Sequence, residues 1–530
     1  MTLQSQSPII LAALAVAACL ASAAHAAQTC DALSKLDLPN TSISRAESVA
    51  AGAYKPPVGK TPPNMPAFCL VAGTIKPSSD SNIYFEVWMP ASNWNGKFQG
   101  AGNGGFAGSI GYDQLMNAVA HDYATAATDT GHHAGGTDAS WALDHPDKIA
   151  DFGYRAIHET AVKAKAILRA FYGEDAKRSY FSSCSNGGRQ ALMEAQRYPE
   201  DYDGIIAGAP ANFWTHLLAN AAWDNLALLG DQASYIPPKK LPAIQAAALA
   251  ACDALDGVKD GVIEDPSRCH FDPAVLQCQG AESDTCLTAP QVAALKKLYA
   301  GGHNSHGRIF PGYAPGGEAE IGGWATWITG PSPEHSLMYA FSTQFYKNMV
   351  FDNAAWDYHS FNADRDTKAA EDKQTRNLNA TDSDLGPFLK RGGKLILYHG
   401  WSDAAIAPQN TIDYYDSVEA KMGAQQTASF ARLFMVPGMQ HCGGGSGPNT
   451  FGQYPGSSSD PDRDMQAALE RWVEKGVAPE RIVAAKRKSD MDPTSAIVRT
   501  RPLCAYPLVA RYQGNGSTDD AANFVCAKHD

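Results

Sequence analysis

The sequence has no long run of Lys or Arg, and its 43 basic against 55 acidic residues give a formal charge of −12 at pH 7. Without a basic field to meet a phosphate backbone, nucleic acid is not an expected partner. No internal repeat is present, which excludes a solenoid or propeller. No low-complexity tract follows the first residues. Past Ala21 no apolar run reaches the roughly 20 residues that a membrane-spanning helix needs, so no membrane association is expected once the leader is removed.

The leader itself is short of charge: no Lys or Arg precedes its apolar stretch from Ile9 to Ala21, and only the terminal amine is positive. That stretch and the small-x-small site Ala24-His25-Ala26 read as a secretion signal over residues 1–26, cleaved before Ala27. Cleavage removes Cys19 and leaves ten of the eleven cysteines. An even count suits an oxidising compartment, and the protein is expected to be secreted or periplasmic. Cys30, Cys69, Cys184, Cys252, Cys269, Cys278, Cys286, Cys442, Cys504 and Cys526 are all expected in disulfides. Local spacing favours Cys252 with Cys269, Cys278 with Cys286, and Cys504 with Cys526. Counting alone leaves about 945 pairings.

With 530 residues and 44% hydrophobic content, the chain can bury a large core. Tyr154, Ile157, Ala161, Ala164, Leu168 and Phe171 recur in steps of three and four, which predicts a helix ended by Gly173. A short strand is expected over Ser179–Ser183. It is followed by the small-residue turn 184–188, a helix to about Tyr198, and a buried strand over Gly204–Ala209. Strand, helix and strand in this order describe a parallel α/β sheet. Two further strands are expected over Lys394–Gly400 and Phe430–Val436. Between about 213 and 385 the pattern changes to helices and Gly/Pro-rich loops. The expected organisation is therefore a sheet domain over 27–212 and 386–530 with an inserted helical domain over 213–385.

Ser183-Cys184-Ser185-Asn186-Gly187 fits the tight turn between strand and helix that exposes a nucleophilic serine, although Ser183 stands where the usual G-x-S-x-G has its first glycine. The same segment would also serve as a helix N-cap. A serine hydroxyl needs a neighbouring base, and Asp403 and His441 follow Ser185 in the chain order serine, acid, histidine. Both come after predicted strands of the same sheet, at its carboxyl edge. In isolation, Asp403 would equally cap a helix and His441 would equally be a loop histidine. Cys184 precedes the candidate nucleophile and Cys442 follows the candidate base. Bridged Cα atoms lie roughly 5.5 Å apart and chain neighbours about 3.8 Å, so a bridge would hold Ser185 and His441 within about 13 Å.

These pairs, together with the segments Ser182–Arg189, Tyr202–Pro210, Tyr398–Asp403 and Val436–Cys442, resemble the tannase and feruloyl esterase family over most of the chain. The resemblance implies an α/β-hydrolase with a lid inserted mid-chain, and a serine mechanism through an acyl-enzyme. The expected activity is hydrolysis of small aromatic (phenolic) esters such as ferulates or gallates. Oxyanion donors are expected at the amide of Asn186 and in the turn Gly102-Asn103-Gly104-Gly105. Lid aromatics Trp324, Trp327, Phe341 and Phe345, with Ile406, are candidates to line the acyl site.

The segment Asp253 to Val262 places three carboxylates within eight residues among glycines, which suits either an oxygen-liganded calcium loop or a solvated Asp/Gly turn. In members of the family this pattern binds structural Ca²⁺. The resemblance thus implies ligands from the side chains of Asp253, Asp256 and Asp260 and the carbonyls of Val258 and Val262. One family member hydrolyses mono(2-hydroxyethyl) terephthalate, and there a lid arginine faces the free carboxylate. The corresponding stretch here, Trp324 to Phe351, has no arginine and only His335 and Lys347 as basic residues. That makes the terephthalate monoester, or a related phthalate monoester, the alternative substrate rather than the first. A peptidase of the same fold and a non-catalytic binder are the rival classes, and the sequence leaves the oligomeric state open.

Overall fold

The computed structural model describes residues 2, 27–57, 61–62, 64–453 and 459–528. The expected leader, apart from Thr2, lies outside the described residues. Nine strands form one mixed sheet: β1 (Thr41–Val49), β2 (Phe68–Ile75), β3 (Ile83–Pro90), β4 (Lys97–Ala101), β5 (Ala124–Thr128), β6 (Arg178–Cys184), β7 (Gly204–Gly208), β10 (Lys394–Gly400) and β11 (Ala431–Val436). A hairpin of β8 (His303–Asn304) and β9 (Gly307–Arg308) stands apart. The order across the sheet is β1-β2-β3-β5-β4-β6-β7-β10-β11. The pairs β1/β2, β2/β3 and β3/β5 are antiparallel, and the pairs from β5/β4 to β10/β11 are parallel.

The parallel half carries the near-continuous apolar runs of strands covered on both faces, and β7 is buried at every position. Edge strand β1 instead mixes exposed and half-covered positions. The crossover helices Ala156–Tyr172 and Asn186–Arg197 join β5 to β6 and β6 to β7. The first ends at Gly173, whose φ of 77° takes the left-handed turn that closes the helix. This is the α/β-hydrolase arrangement expected from the sequence.

Between neighbouring strands β7 and β10 the chain leaves the sheet. This segment is built of helices, among them Trp214–Leu229, Leu241–Cys252, Ala289–Ala300, Leu337–Phe345 and Ala363–Leu378. Its helices pack through two apolar clusters that also take in residues outside the segment, among them Phe106, Phe152, Ala404 and Ile406. After β11, the helix Met465–Lys475 covers the sheet, and two antiparallel pairs follow: β12 (Arg481–Arg487) with β13 (Ile497–Cys504), and β14 (Val509–Tyr512) with β15 (Phe524–Ala527).

Five disulfides form: Cys30–Cys69, Cys184–Cys442, Cys252–Cys269, Cys278–Cys286 and Cys504–Cys526. The three local pairs favoured by spacing are among them.

Candidate active site

Register brings the site together. Cys184 pairs with Gly208, Gly208 with Tyr398, and Gly400 with Val436, so β6, β7, β10 and β11 end at nearly the same level. The loops leaving those ends carry Ser185, Asp403 and His441. Ser185 itself sits at φ 68°, ψ −127°, a conformation disfavoured for a residue with a Cβ, which turns the chain sharply from strand to helix. The tightness of the turn dictates its neighbour: a Cβ on Gly187 would lie 1.9 Å from Ser183 Oγ.

Ser185 Oγ lies 2.8 Å from His441 Nε2, and His441 Nδ1 lies 2.8 Å from Asp403 Oδ2. Facing a carboxylate, Nδ1 carries the proton, which leaves Nε2 free to accept the serine's. Asp403 is fully buried and completely hydrogen-bonded. Its Oδ1 accepts the amides of Ala405 (2.8 Å) and Ile406 (2.9 Å), and its Oδ2 also faces His399 Nε2 at 3.1 Å. Burial opposes its ionisation, but the charge of His441 and the hydrogen bonds from His399 and His441 outweigh burial and hold the carboxyl well below its usual range. The bridge from Cys184 to Cys442, with Cα atoms 6.0 Å apart, ties the serine's turn to the histidine's loop. Gln440 adds a second tie: its Nε2 donates to Gly317 O (2.8 Å) and Glu320 Oε2 (3.0 Å), so the inserted segment rests on the residue before His441.

Among the described residues, the amides of Asn186 and Gly104 have no partner within the protein and are available to an oxyanion. Asn103, expected beside them, is committed elsewhere. Its N–H donates to Gln190 Oε1 (2.9 Å), and its side chain donates to Ser109 O (3.0 Å) and Thr128 O (2.8 Å), so it braces the glycine turn. Gly102 turns its carbonyl to Gln114 Nε2 at 3.1 Å.

A pocket opens at Ser185 and His441. Its walls include the candidates Trp327, Phe341 and Ile406, and also Trp214, Leu217, Leu218 and Met338. Trp327 stands edge-on to the His441 ring, centroids 5.0 Å apart, and stacks on Phe341 at 6.2 Å. Trp324 and Phe345 are not among the lining residues. Trp324 is buried against Tyr299 and Tyr313, and Phe345 against Tyr346, where each packs the inserted segment on itself. Met338 and three further lining residues were missed in the sequence; those three, Trp214, Leu217 and Leu218, share one face of the first helix after β7. Their i, i+3, i+4 spacing at the sheet's carboxyl edge was the available signal.

In the loop 253–262, Asp253 accepts the amides of Asp260 and Gly261, and Asp256 accepts that of Val258. Asp260 pairs with Arg501 (2.6 Å) and Arg499 (3.2 Å) of β13, and Glu264 lies 3.6 Å from Arg501. Two of these carboxylates, Asp260 and Glu264, thus meet the two guanidinium groups, and burial pushes the Glu264 carboxyl up to about 8. Among the described residues, the His/carboxylate group whose ligand atoms all lie within 4.8 Å of one another is a different one: His158, Glu194 and Asp201, behind the sheet. There His158 Nδ1 is 2.6 Å from Asp201 Oδ2, and burial, then the neighbouring Asp201, push the Glu194 carboxyl well up.

The model of the family described as tannase and feruloyl esterase matches residues 69–527. An uncharacterised esterase of Xanthomonas campestris is 46% identical, with 98% of this chain and 94% of that protein covered. A probable feruloyl esterase B-2 of Aspergillus terreus is 34% identical over 93% of each. Among solved structures, feruloyl esterase B from Aspergillus oryzae superposes with a TM-score of 0.85 at 32% identity, covering 94% of this chain and 99% of that one. No helix among the described residues is long and apolar enough to cross a membrane.

Proposed function

The chain belongs to the tannase and feruloyl esterase family and is an ester hydrolase, and from that premise we propose that it cleaves aromatic carboxylic esters through a serine-bound acyl intermediate. The observation that carries this reading is the unbroken chain Ser185 Oγ, His441 Nε2, His441 Nδ1 and Asp403 Oδ2, with two 2.8 Å links. His441 takes the serine proton as Oγ attacks the ester carbonyl, and Asp403 stabilises the imidazolium. The tetrahedral oxygen is held by the amides of Asn186 and Gly104. His441 then protonates the leaving alcohol, and water, activated by the same ring, releases the acid from Ser185.

The acyl group lies between Trp327, Phe341, Ile406 and Trp214, with Leu217, Leu218 and Met338 completing an apolar slot. Aromatic walls without a lysine or arginine among them favour a neutral phenolic acyl group, such as feruloyl or galloyl, over one with a free carboxylate. The inserted segment serves as a lid, since it supplies Trp327, Met338 and Phe341. The loop carrying Asp253, Asp256 and Asp260, with the carbonyls of Val258 and Val262, would hold Ca²⁺. The ion would supply a cross-link and take no part in ester cleavage. Five disulfides support a secreted or periplasmic enzyme.

The decisive experiment compares wild type and Ser185→Ala on methyl ferulate, methyl gallate and mono(2-hydroxyethyl) terephthalate, with a fluorophosphonate label as a second readout. The substitution should remove nearly all turnover and all labelling from a protein that still melts like the wild type. Residual turnover above a few per cent would overturn the serine mechanism. Faster cleavage of the terephthalate monoester than of the phenolic esters would overturn the substrate class.

A further inference from the structure

A second histidine touches the acid of the proposed triad. His399, at the end of β10, is completely buried, and its Nε2 lies 3.1 Å from Asp403 Oδ2 and 3.0 Å from the carbonyl of Ile406. Both neighbours are acceptors, so Nε2 carries a hydrogen whatever the charge of the ring. Its Nδ1 faces Thr411 Oγ1 at 2.7 Å, on the helix Gln409–Met422. His399 therefore donates to the same carboxylate oxygen that receives His441 Nδ1, and it anchors the backbone of Ile406, a wall of the acyl slot. The loop after β10 is thus held to this ring at Asp403 and Ile406.

Resting on the serine-hydrolase reading, we propose that His399 is a positioning residue that fixes Asp403 and the Ile406 wall together and moderates how strongly Asp403 holds the proton of His441. Three titratable groups surround Asp403: His399 on β10, His441 in the loop after β11, and Tyr313 in the inserted segment, which burial, then charge, keeps neutral. With the His399 donor present, the charge on Oδ2 is shared between two N–H groups. Removing that donor leaves Oδ2 more basic towards His441 alone, so the imidazolium is stabilised and the base loses its proton at higher pH. Loss of the anchor also lets the acid and the acyl wall drift, and misplacement of about 1 Å costs on the order of a hundredfold in rate.

The test compares pH profiles of kcat/KM for wild type, His399→Leu, His399→Gln and Thr411→Val, each checked by melting. Leu, which cannot donate, should lower kcat roughly 10- to 100-fold. It should also move the acid limb of the profile to higher pH. Gln, whose amide still reaches Asp403, should restore the limb and part of the rate. Thr411→Val frees the ring without removing it and should shift both in the Leu direction by less, which keeps the test open where His399→Leu does not fold. Folded variants whose kcat and acid limb both match the wild type would overturn the role of His399 while leaving Ser185 essential. Activity surviving in Ser185→Ala would instead defeat the underlying mechanism.

Discussion

Asp224 is a charge problem confined to one side chain. It is fully buried in the helix Trp214–Leu229, where Oδ2 accepts from Asn220 Nδ2 (2.8 Å) and the Tyr313 hydroxyl (3.3 Å), and Oδ1 is buried without a partner. Burial pushes its carboxyl well above the ordinary range, and the hydrogen bond from Tyr313 only partly opposes this. A carboxyl raised on folding keeps its proton in the native state after the unfolded chain has released it. Above the unfolded value of about 4, stability therefore falls as pH rises towards the native value. Asp224→Asn removes that dependence. The variant should gain in melting temperature relative to wild type between pH 5 and 8 and lose the gain below about pH 4. A difference that stays constant across this range would show that Asp224 is ionised in both states or matched by a cation.

At the scale of elements, the bridge between Cys184 and Cys442 joins the end of β6 to the loop after β11, which hold opposite ends of the proposed chemistry. A disulfide is ordinarily worth about 2 to 4 kcal/mol of stability. This one should act on rate as well, because each half-cystine is bonded to a reacting residue and sets how far the turn after β6 can stray from the loop after β11. Replacing both cysteines by Ala should lower kcat severely at temperatures where the variant is fully folded. The same change at Cys504 and Cys526, which join β13 to β15, should lower stability alone. Equal effects on kcat would sink the distinction.

The same elements show what was legible beforehand. Strands β7, β10 and β11 announce themselves as short apolar runs ended by glycine or proline, β6 by its place before the small-residue turn, and their residues at the carboxyl edge follow from topology. Disulfide spacing gave the local pairs because short loops close by proximity. The inserted segment was legible only as helical. Trp324 and Trp327 are three residues apart in one turn of helix, yet one packs inward on Tyr299 and the other faces His441. Periodicity gives a stripe, not what the stripe meets. The role of His399, and the bracing contacts of Asn103, which the sequence offered as an oxyanion donor, were hidden for a related reason: each acts through hydrogen bonds to residues distant in sequence, or to backbone that is placed only when the loops close.

At the scale of the whole molecule, the loop 253–262 joins parts of the chain that no strand pairing connects. Asp260 pairs with Arg499 and Arg501, and Glu264 accepts the amide of Ala510, so the inserted segment is fastened here to the β13 and β14 region. If the loop holds Ca²⁺ as proposed, the ion would tighten this junction, and a ligand at a hundredfold excess over its Kd adds about 2.7 kcal/mol to the folded state. Chelation should therefore lower the melting temperature by several degrees, and added Ca²⁺ should restore it. Two places compete to explain such an effect, since His158, Glu194 and Asp201 also gather ligand atoms. Asp256→Asn should abolish the response to chelator and Ca²⁺ if the ion sits in the loop, and His158→Ala should leave it intact. The reverse pattern would place the ion behind the sheet. A melting temperature indifferent to verified metal removal would overturn the calcium reading and leave the junction to its ion pairs with Arg499 and Arg501, the Glu264–Ala510 hydrogen bond and the packing of Val258.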